Sequence, residues 1–457
     1  MPDTLHYDYF VIGTGPAGQS FALEAARAGH AVATCDYQAY GGACPNRGCD
    51  PKKVLYAAAY AMHSVKRLLG KGLASPPDLS WEQLQEWKQT FTEPIPAGTR
   101  EKFGEAGVVC YDGKATFTAP NELLINDDHR IHADRIIIAT GARPAPLDIP
   151  GQEHYLTSDG FLSMRDLPER MVIIGSGYIG SSFAQIATVL GCKVTVIASD
   201  NNPVDAFDSD LNDLLTGAAE EHGVKFHFNS KAKRIERTGH ESYLVHGETD
   251  AGETFTVTTQ RVIHCAGRVP NADNLNLEAA GIEYGKKGIK VTDDLRTNVP
   301  GHYALGDCAD SGLPLTPVAS YETTLLQDKL LRGHTRKIDY FPIPTVAFTL
   351  PPIAAVGMTA EEVKASDKNI TTLFEETTEW FTERHVNGLV SAFKIFIDAD
   401  EDLILGAHLL GHEADEVINL FALAVHEKIS VTKLKRMVWA YPTGGGDITK
   451  MLAGYGG

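Results

Sequence analysis

The chain lacks any long apolar run. No stretch of about 18 consecutive hydrophobic residues occurs, so we expect no transmembrane helix. The opening residues, Met1 to His6, are polar and lead directly into a predicted strand, so we expect no signal peptide either. Seven cysteines at scattered positions do not resemble the disulfide framework of a small secreted domain. We therefore expect a cytoplasmic protein.

Positive charge is also scarce. The 41 lysines and arginines are outnumbered by 59 acidic residues, which leaves a net charge of −18. This balance argues against a nucleic-acid or anionic-membrane partner. Low-complexity tracts are absent as well, and the composition is that of an ordinary globular protein. At 457 residues, the chain is expected to divide into about two to four domains.

Glycine is plentiful, and it marks two similar turns. Gly13-Thr14-Gly15-Pro16-Ala17-Gly18 follows a predicted strand and precedes an alanine-rich helix and a second strand. Gly175-Ser176-Gly177-Tyr178-Ile179-Gly180 repeats the pattern between predicted strands at Arg170–Ile174 and Lys193–Ile197. Glycines let the backbone approach a pyrophosphate, and the helix start offers free N–H groups. One such turn could be a tight connection without a ligand, but two in this context predict two dinucleotide sites.

The two turns differ in the residue that would meet an adenosine ribose. Asp36 ends the strand after the first turn, where a carboxylate can bind ribose hydroxyls. The same spacing from the second turn leads to Ala198, followed by Ser199 and Asp200. Without an acid at Ala198 the case for NADH is weaker, although Asp200 would repel a 2′-phosphate. The balance slightly favours NADPH, with NADH kept as the alternative.

Two cysteines, Cys44 and Cys49, follow the first unit in the segment Gly41 to Cys49. A regular helix separates positions i and i+5 by about 7.5 Å along its axis, more than the usual disulfide Cα distance of about 4.4–6.8 Å. Pro45 and Gly48 would allow the distortion that pairing needs. The alternatives are a redox-active disulfide, favoured beside a dinucleotide fold, and two cysteines that never pair. A zinc site is disfavoured because no second close Cys or His pair accompanies them, and no metal site is predicted.

From about Pro344 the pattern changes to alternating segments and amphipathic helices, which predict a C-terminal α+β domain. With these features in view, the chain resembles the pyridine nucleotide–disulfide oxidoreductases, a family that includes glutathione reductase, dihydrolipoamide dehydrogenase and mercuric reductase. The resemblance covers nearly the whole chain. It rests on Gly13–Gly18, Asp36, Gly41 to Cys49, Pro51 and Lys53, Ala139 to Gly141, the second glycine turn, Ala266 to Asn271, Ala304 to Asp307, and Phe348 to Gly357.

The resemblance implies an α/β fold with two Rossmann-like domains, for FAD and NAD(P), and a C-terminal α+β dimerisation domain. The expected ranges are 1–147 and 269–338 for the FAD domain, 148–268 for the NAD(P) domain, and 339–457 for a domain that forms a homodimer. Hydride would pass from NAD(P)H to FAD and then to the Cys44–Cys49 disulfide, which would reduce a small or protein disulfide. Cys49 would be the sulfur beside the flavin and Cys44 the thiol that attacks the acceptor.

The resemblance also assigns residues to the cofactors. Lys53 would lie by flavin N5, Asp307 near the ribityl chain, and Tyr178 would gate the nicotinamide pocket. The candidate cofactor-binding residues are Gly13, Gly15, Pro16, Ala17, Gly18, Asp36, Gly42, Ala43, Lys53, Ala115, Thr140, Gly141, Gly175, Gly177, Tyr178, Ile179, Gly180, Ser199, Gly267, Asp307 and Thr316. The candidate catalytic residues are Cys44, Cys49, Lys53 and Tyr441.

Several positions depart from the family pattern. Tyr441 replaces the acid/base histidine, and Gly446 stands at the position of its orienting glutamate, with Asp447 one residue away. Ser182 replaces the glutamate that pairs with the lysine, and Leu23 and Thr324 replace the two substrate arginines of glutathione reductase.

A tyrosine with a pKa near 10 is a poor base at neutral pH, and loss of a matched acid/base costs about 10²–10⁴ in rate. We therefore favour a disulfide as the electron acceptor and keep two alternatives. The alternatives are metal ions or quinones as acceptors, and a flavin-binding protein without dithiol turnover. Tyr441 could also be a simple interface residue beside Trp439.

Overall fold

The structure is a computed structural model that describes residues 5–126 and 128–456. The predicted domain ranges that begin at residue 1 or end at residue 457 therefore include a few positions outside the described residues. Helices and strands alternate over most of the chain. The strands are β1 (Leu5–Ile12), β2 (Val32–Asp36), β3 (Val109–Asp112), β4 (Ala115–Ala119), β5 (Glu122–Ile125), β6 (His129–Ile138), β7 (Ala142–Pro144), β8 (Tyr155–Leu156), β9 (Arg170–Ile174), β10 (Lys193–Ile197), β11 (Lys225–His227), β12 (Ser230–Gly239), β13 (Ser242–Thr249), β14 (Thr254–Thr259), β15 (Arg261–His264), β16 (Arg268–Pro270), β17 (Tyr284–Gly285), β18 (Gly288–Lys290), β19 (His302–Ala304), β20 (Ala309–Asp310), β21 (Thr345–Ala347), β22 (Ile353–Gly357), β23 (Ile370–Glu376), β24 (Ala392–Asp398) and β25 (Leu403–Leu410).

The helices complete the framework. They are α1 (Pro16–Arg27), α2 (Ala43–Arg47), α3 (Cys49–Arg67), α4 (Trp81–Thr92), α5 (Pro94–Ala106), α6 (Ser158–Leu162), α7 (Tyr178–Val189), α8 (Ser209–Glu221), α9 (Leu277–Ala280), α10 (Thr316–Arg332), α11 (Ala360–Lys364), α12 (Phe381–Arg384), α13 (Ala414–His426), α14 (Val431–Arg436) and α15 (Ile448–Met451). Short 3₁₀ turns lie at Gln152–His154, Asp273–Leu275, Gly306–Cys308 and Gly445–Asp447. Within residues 5–126 and 128–456, no helix is both long and apolar enough to cross a lipid bilayer.

The chain divides into two compact units, each built from separate stretches of sequence. The first contains residues 1–54, 85–145 and 267–340, and the second contains residues 55–84, 146–266 and 341–457. The four domain ranges expected from the sequence remain a prediction.

The first unit is organised around a sheet in the order β3-β2-β1-β6-β5-β4, with β19 also paired to β6. Strands β1, β2, β3 and β6 run parallel, and β5 pairs with the earlier half of β6 in antiparallel register. The core strands are apolar on both faces, as expected for a sheet that is covered by helices on each side. This arrangement places the ends of β1, β2 and β6 at one edge of the sheet, beside the first glycine turn.

The second unit contains a five-stranded parallel sheet in the order β11-β10-β9-β15-β8. Helix α7 packs against this sheet, and all but its first turn is buried, including the polar residues Ser181, Ser182 and Gln185. A three-stranded antiparallel sheet, β12-β13-β14, follows.

The C-terminal part of the second unit is an antiparallel sheet in the order β21-β22-β25-β24-β23. Helix α13 packs its apolar face on this sheet through Val417, Ile418 and Phe421. The alternating sequence segments predicted an antiparallel sheet in this region, and the structure confirms it.

The sequence pattern predicts a helix over Ser182 to Leu190, a helix over Pro51 to Tyr60 and a strand over Arg135 to Ala139, and these bounds were wrong. Helix α7 begins at Tyr178, because Gly177 is already its N-terminal cap. Helix α3 runs from Cys49 to Arg67, since its later turns bury apolar side chains in the second unit's core. Strand β6 begins at His129, because its earlier half pairs with β5.

Candidate functional site

The first glycine turn forms a cradle of bare backbone at the end of β1. Gly13 has φ +104°, and a Cβ added to it would lie 2.4 Å from the carbonyl oxygen of Ala139. A Cβ on Gly18 would lie 2.0 Å from the Gly13 oxygen, so the helix packs directly on the turn. Helix α1 starts at Pro16 with Gly15 as its cap, and among the described residues no side chain caps it. Its first N–H groups and positive dipole end are therefore available to a pyrophosphate.

Asp36 closes one side of this cradle. Its Oδ2 accepts hydrogen bonds from the Thr14 backbone N–H at 3.0 Å and the Thr14 hydroxyl at 2.7 Å, while Oδ1 accepts from the Gln38 N–H. Oδ2 already accepts two hydrogen bonds and Oδ1 only one, so Oδ1 retains a lone pair for a ribose hydroxyl. The turn thus orients the acid that the sequence singled out.

A pair of glycines brings the cysteine segment back onto the cradle. Gly41 and Gly42 have φ +99° and +77°, and a Cβ on Gly42 would lie 2.4 Å from the Cα of Gly15. The short helix α2 carries Cys44, Gly48 breaks it with φ −139° and ψ −112°, and α3 begins at Cys49. The predicted interruption of the helix between the two cysteines is confirmed.

Cys44 and Cys49 are free thiols in this structure, which corresponds to the reduced form of the pair. The hydroxyl oxygen of Thr316, at the start of α10, lies 3.2 Å from Cys44 Sγ and 3.9 Å from Cys49 Sγ. A hydrogen bond from Cys44 lowers the pKa of Cys49 to about 6, against the opposing effect of burial, and Thr316 and Lys52 lower it further. The same hydrogen bond raises the pKa of Cys44. The pair therefore holds one proton and one negative charge near neutral pH, with the thiolate on Cys49.

The remaining cysteines have the opposite character. Burial raises the pKa of Cys192 and Cys265 to about 12, and it also raises the pKa values of Cys35, Cys110 and Cys308. Thiolate chemistry at neutral pH is thus confined, among the described cysteines, to the Cys44–Cys49 pair.

The second glycine turn, in the second unit, repeats the cradle. Gly175 has φ +100° and an added Cβ would lie 2.7 Å from the Cα of Ala266, while a Cβ on Gly180 would lie 2.0 Å from the Gly175 oxygen. Gly177 caps α7 without any side-chain cap among the described residues. The Tyr178 hydroxyl lies 2.7 Å from the Thr345 hydroxyl, and its ring packs against Phe207. This turn also fits a pyrophosphate.

The ribose position of the second turn holds no carboxylate at Ala198, which is buried at the end of β10. Ser199 and Asp200 follow on the surface, with the Ser199 hydroxyl 3.5 Å from an Asp200 carboxylate oxygen.

Tyr441 lies in an exposed C-terminal segment. Its side chain is 85% exposed, and Val438 close by is fully exposed. Gly446 follows within a 3₁₀ turn, and Asp447 in the same turn accepts a hydrogen bond from the Thr382 hydroxyl. Asp447, the acid beside Gly446, is thus hydrogen-bonded to Thr382 and not to Tyr441.

Comparisons with known proteins agree with this geometry. The sequence profile of the pyridine nucleotide-disulphide oxidoreductase family matches residues 7–323, and that of the family's dimerisation domain matches residues 343–452. The chain belongs to this family. It is 30% identical to a dihydrolipoyl dehydrogenase of Bacillus subtilis over 98% of this chain and 95% of that protein. It is 32% identical to a mercuric reductase of Bacillus cereus, over 96% of this chain and 69% of that protein.

Among solved structures, the HOCl-induced flavoprotein disulfide reductase RclA from Escherichia coli matches with a TM-score of 0.88 and 25% identity. The match covers 98% of this chain and 100% of that one. A Cu(II) complex of the same protein also matches with a TM-score of 0.88 and 25% identity, over 98% of this chain and 99% of that one. The resemblance and the fold class expected from the sequence are confirmed.

As a pyridine nucleotide–disulfide oxidoreductase, the chain is an FAD-dependent NAD(P)H:disulfide oxidoreductase, as the sequence predicted. The family implies FAD and a pyridine nucleotide, and its dimerisation domain supports a homodimer. The two glycine cradles fit these cofactors, because each offers a bare turn and an uncapped helix start to a dinucleotide pyrophosphate.

The structure places the other predicted FAD residues around the first cradle. Thr140 and Gly141 follow β6 and are held by Asn271, which donates its backbone N–H to the Gly141 oxygen at 2.8 Å. Asp307 lies in a 3₁₀ turn, where burial raises its pKa and Arg268 opposes that effect. Ala115, by contrast, is buried at the start of β4, an edge strand of the sheet, and Lys53 is exposed on α3.

Two features of this oxidoreductase were not predicted from the sequence. Thr316 was expected to line the FAD site, but its contact with both sulfurs was not foreseen. Glu322 is fully buried and accepts hydrogen bonds from the Gly306 N–H and the Ser311 hydroxyl, each at 2.6 Å, and so shapes the turn that carries Asp307. The available sequence signal for Glu322 was its position between Val318 and Leu326 on the apolar face of α10, where a carboxylate needs hydrogen-bond donors.

Proposed function

We propose that this oxidoreductase passes electrons through the Cys44–Cys49 pair to a small or protein disulfide, with NADPH as the donor. The turn at Gly13–Gly18 and the start of α1 would hold FAD, which would supply electron transfer between the nicotinamide and the sulfur pair. The observation that supports the proposal most strongly is the contact of both sulfurs with the Thr316 hydroxyl at the start of α10, with the pKa of Cys49 lowered by the hydrogen bond from Cys44. A thiolate held at a helix start is poised for thiol–disulfide exchange.

The exchange itself needs the proton of Cys44 to leave. We propose that Cys49, whose thiolate already accepts a hydrogen bond from Cys44, takes this proton as the Cys44 sulfur attacks the acceptor disulfide. A Cys44–acceptor bond forms, the acceptor S–S bond breaks, and the first thiolate takes the proton from Cys49 as it leaves. The Cys49 thiolate then attacks the Cys44 sulfur, which closes the intramolecular disulfide, and the second thiolate leaves and takes up a proton from solvent. Two electrons reach the acceptor, and Tyr441 need not act as a base.

A cleft beside the first cradle supports a weakly charged acceptor. It has a volume of about 420 Å³ and lies between α1 and α10, with Leu23 in its lining. Glu24 and Arg332, also in the lining, form an ion pair at 2.6 Å, and Arg332 pairs further with Asp328. Glu24 and Arg332 neutralise each other, which leaves Arg27 as the one net charge of the lining. Since Leu23 also replaces a substrate arginine of glutathione reductase, we propose that an uncharged disulfide such as lipoamide is preferred over the polyanionic oxidised glutathione.

The nicotinamide donor is proposed from the second cradle. Ala198 offers no carboxylate to the ribose hydroxyls, and Ser199 offers a hydroxyl donor at the adjacent exposed position. Asp200 opposes a 2′-phosphate, so we expect NADPH to be preferred by a small factor rather than to be exclusive. Tyr178 is proposed as the gate of this pocket, and Lys53 as a contact of the flavin.

The C-terminal surface supports the further proposal that a partner copy completes each active site. Apolar side chains remain exposed on α13 and in the segment that follows α14, notably Leu423, Met437, Val438 and Tyr441. This surface lies within the matched dimerisation domain. We propose that the segment with Tyr441 reaches the sulfur pair of the other copy.

A second acceptor class is favoured by one specific observation. Tyr441 occupies the position of the acid/base histidine, and the matched proteins include a mercuric reductase and a Cu(II) complex of RclA. Thiol-binding metal ions accept electrons without the proton transfers that a disulfide requires. Reduction of such ions is therefore the alternative function of the same sulfur pair.

Anaerobic titration separates these proposals. The purified holoenzyme is reduced with NADPH or NADH, and its reoxidation by lipoamide, oxidised glutathione, Cu²⁺ or a quinone is then followed by flavin absorbance. Rapid reoxidation by lipoamide, and slow reoxidation by oxidised glutathione, supports the main proposal. Reoxidation by Cu²⁺ or quinone alone would replace it with the alternative. A Cys44→Ser variant serves as the control, since it should lose disulfide turnover while its flavin is still reduced by NADPH.

A further inference from the structure

A group of metal-ligating side chains lies on the sheet of the first unit, far along the chain from the sulfur pair. His6 is in β1, and His132 and Asp134 are in β6. Each offers one ligand atom, and the three atoms lie within 4.8 Å of one another. We propose that His6, His132 and Asp134 form a binding site for a transition-metal dication such as Zn²⁺.

Strand register brings these side chains together. Strands β1 and β6 are parallel neighbours, with His6 directly paired to His132. Side chains two positions apart on a strand share a face, so Asp134 lies on the same face as His132. Ile131 and Ala133 alternate with them and face the buried core. The three ligands therefore line one solvent-facing surface of two adjacent strands.

The side chains are already close to a coordinating arrangement. His6 Nε2 lies 3.1 Å from an Asp134 carboxylate oxygen, near the separation of about 3.3 Å between ligand atoms of a tetrahedral zinc site. The rings of His6 and His132 stack, with centroids 5.1 Å apart and an interplanar angle of 18°. Nδ1 of His132 is shielded from solvent and has no hydrogen-bond partner in the part of the chain that the structure describes. No hydrogen bond from the described residues therefore has to be broken at this nitrogen when the ring binds a metal ion.

The charged side chains next to these three residues do not oppose the binding of a cation. Glu122, paired in register with His132, is held by Arg130 at 2.5 Å and by the Thr118 hydroxyl. The Glu122–Arg130 ion pair therefore neutralises Arg130, a basic side chain on the same strand as His132. The net charge of −18 also favours cation uptake.

The ligand set selects the class of metal. Two imidazoles and one carboxylate suit Zn²⁺, Cu²⁺ or Ni²⁺, whereas Mg²⁺ and Ca²⁺ prefer oxygen ligands throughout. His6 and the glycine turn lie at opposite ends of β1, about 20 Å apart at roughly 3.3 Å per residue. Metal binding here should therefore leave the first cradle, and the flavin that it holds, undisturbed.

The test uses flavin-loaded, tag-free protein that carries Cys44→Ser and Cys49→Ser, so that the redox sulfurs do not compete for the ion. Isothermal titration with ZnCl₂ should show one saturable site per chain, and CaCl₂ should show none. His132→Ala, and separately Asp134→Asn, should weaken Zn²⁺ binding at least about tenfold. His129→Ala is the matched control, because His129 is exposed on the same strand but contacts Tyr111 on the other face, and its affinity should stay within about twofold.

A second measurement identifies the ligands directly. The Cu²⁺ electron paramagnetic resonance spectrum should show coupling to two imidazole nitrogens in the double-serine protein, and to one after His6→Ala. Unchanged flavin content in each variant confirms that it is folded. The proposal is overturned if no saturable Zn²⁺ site is found, if Ca²⁺ binds as well as Zn²⁺, or if His132→Ala and His129→Ala change the affinity equally.

Discussion

The thiolate of Cys49 should depend on whether residue 44 can donate a hydrogen bond. The largest influence that lowers the Cys49 pKa to about 6 is the hydrogen bond from Cys44. Cys44→Ser keeps a donor at this position, whereas Cys44→Ala removes it. We expect the pKa of Cys49 to be higher in the alanine variant than in the serine variant.

The size of this difference follows from the strength of the bond. A hydrogen bond to a charged group is worth about 1.5–3 kcal/mol, and one pKa unit corresponds to about 1.36 kcal/mol, which gives about one to two units. Solvent reaches Cys49 in this structure and weakens electrostatic interactions, so the lower end applies. We expect a difference of about one pKa unit, with the Thr316 hydroxyl as the donor that remains in both variants.

The assay is a pH titration of the oxidised holoenzyme variants, followed by the long-wavelength absorbance that a thiolate gives beside oxidised flavin. The absorbance should rise at lower pH in Cys44→Ser than in Cys44→Ala. A Cys49→Ser variant is the control and should lack the band at every pH. Equal midpoints in the serine and alanine variants would refute the hydrogen bond as the cause, and a band that survives in Cys49→Ser would refute the assignment of the sulfur.

Three further outcomes are expected. Gly42→Ala should lower the amount of bound flavin and the melting temperature much more than Gly29→Ala does. Both glycines have a positive φ, which costs about 1–2 kcal/mol for an alanine, but a Cβ added to Gly42 meets Gly15, whereas a Cβ added to Gly29 meets no described atom within 4 Å. Lys394→Met should destabilise the protein by about 3–5 kcal/mol in chemical denaturation, since Lys394 Nζ lies 2.7 Å from the fully buried Asp208 carboxylate; a loss below 1 kcal/mol would contradict this. Tyr441→His should raise disulfide turnover in steady-state assays, because it restores a group that titrates near neutral pH; an unchanged or lower rate would mean that the site is adapted to another acceptor.

Local sequence rules predicted the parts of the site that depend on backbone geometry. The turns at Gly13 and Gly175 were recognisable because positive φ and close backbone approach require glycine. The break between the cysteines was predictable because no regular helix pairs positions i and i+5. The parallel sheets followed from the repeated strand–turn–helix pattern.

Contacts between distant segments were beyond those rules. Thr316 contacts the sulfurs because α10 begins beside them. Sequence periodicity can indicate where a helix begins, but not which distant segment its first residue contacts. His6 and His132 meet through strand register, which a sequence of 457 residues leaves open. The surroundings of Tyr441 stay a prediction as well, because they involve a second copy of the chain.

The pairing of β19 with β6 has a consequence for how the chain is made. Both strands belong to one sheet, but roughly 160 residues are synthesised between them, which takes on the order of 10–30 s at about 5–20 residues per second. During that interval, the later half of β6 leaves the ribosome with one edge unpaired. The parallel sheet of the second unit has a shorter wait, because roughly 90 residues separate β9 from its partner β15. We therefore expect nascent chains that are arrested before His302 to associate through the unpaired edge of β6 and to depend on chaperones. This should hold even when the parallel sheet β11-β10-β9-β15-β8 has already folded.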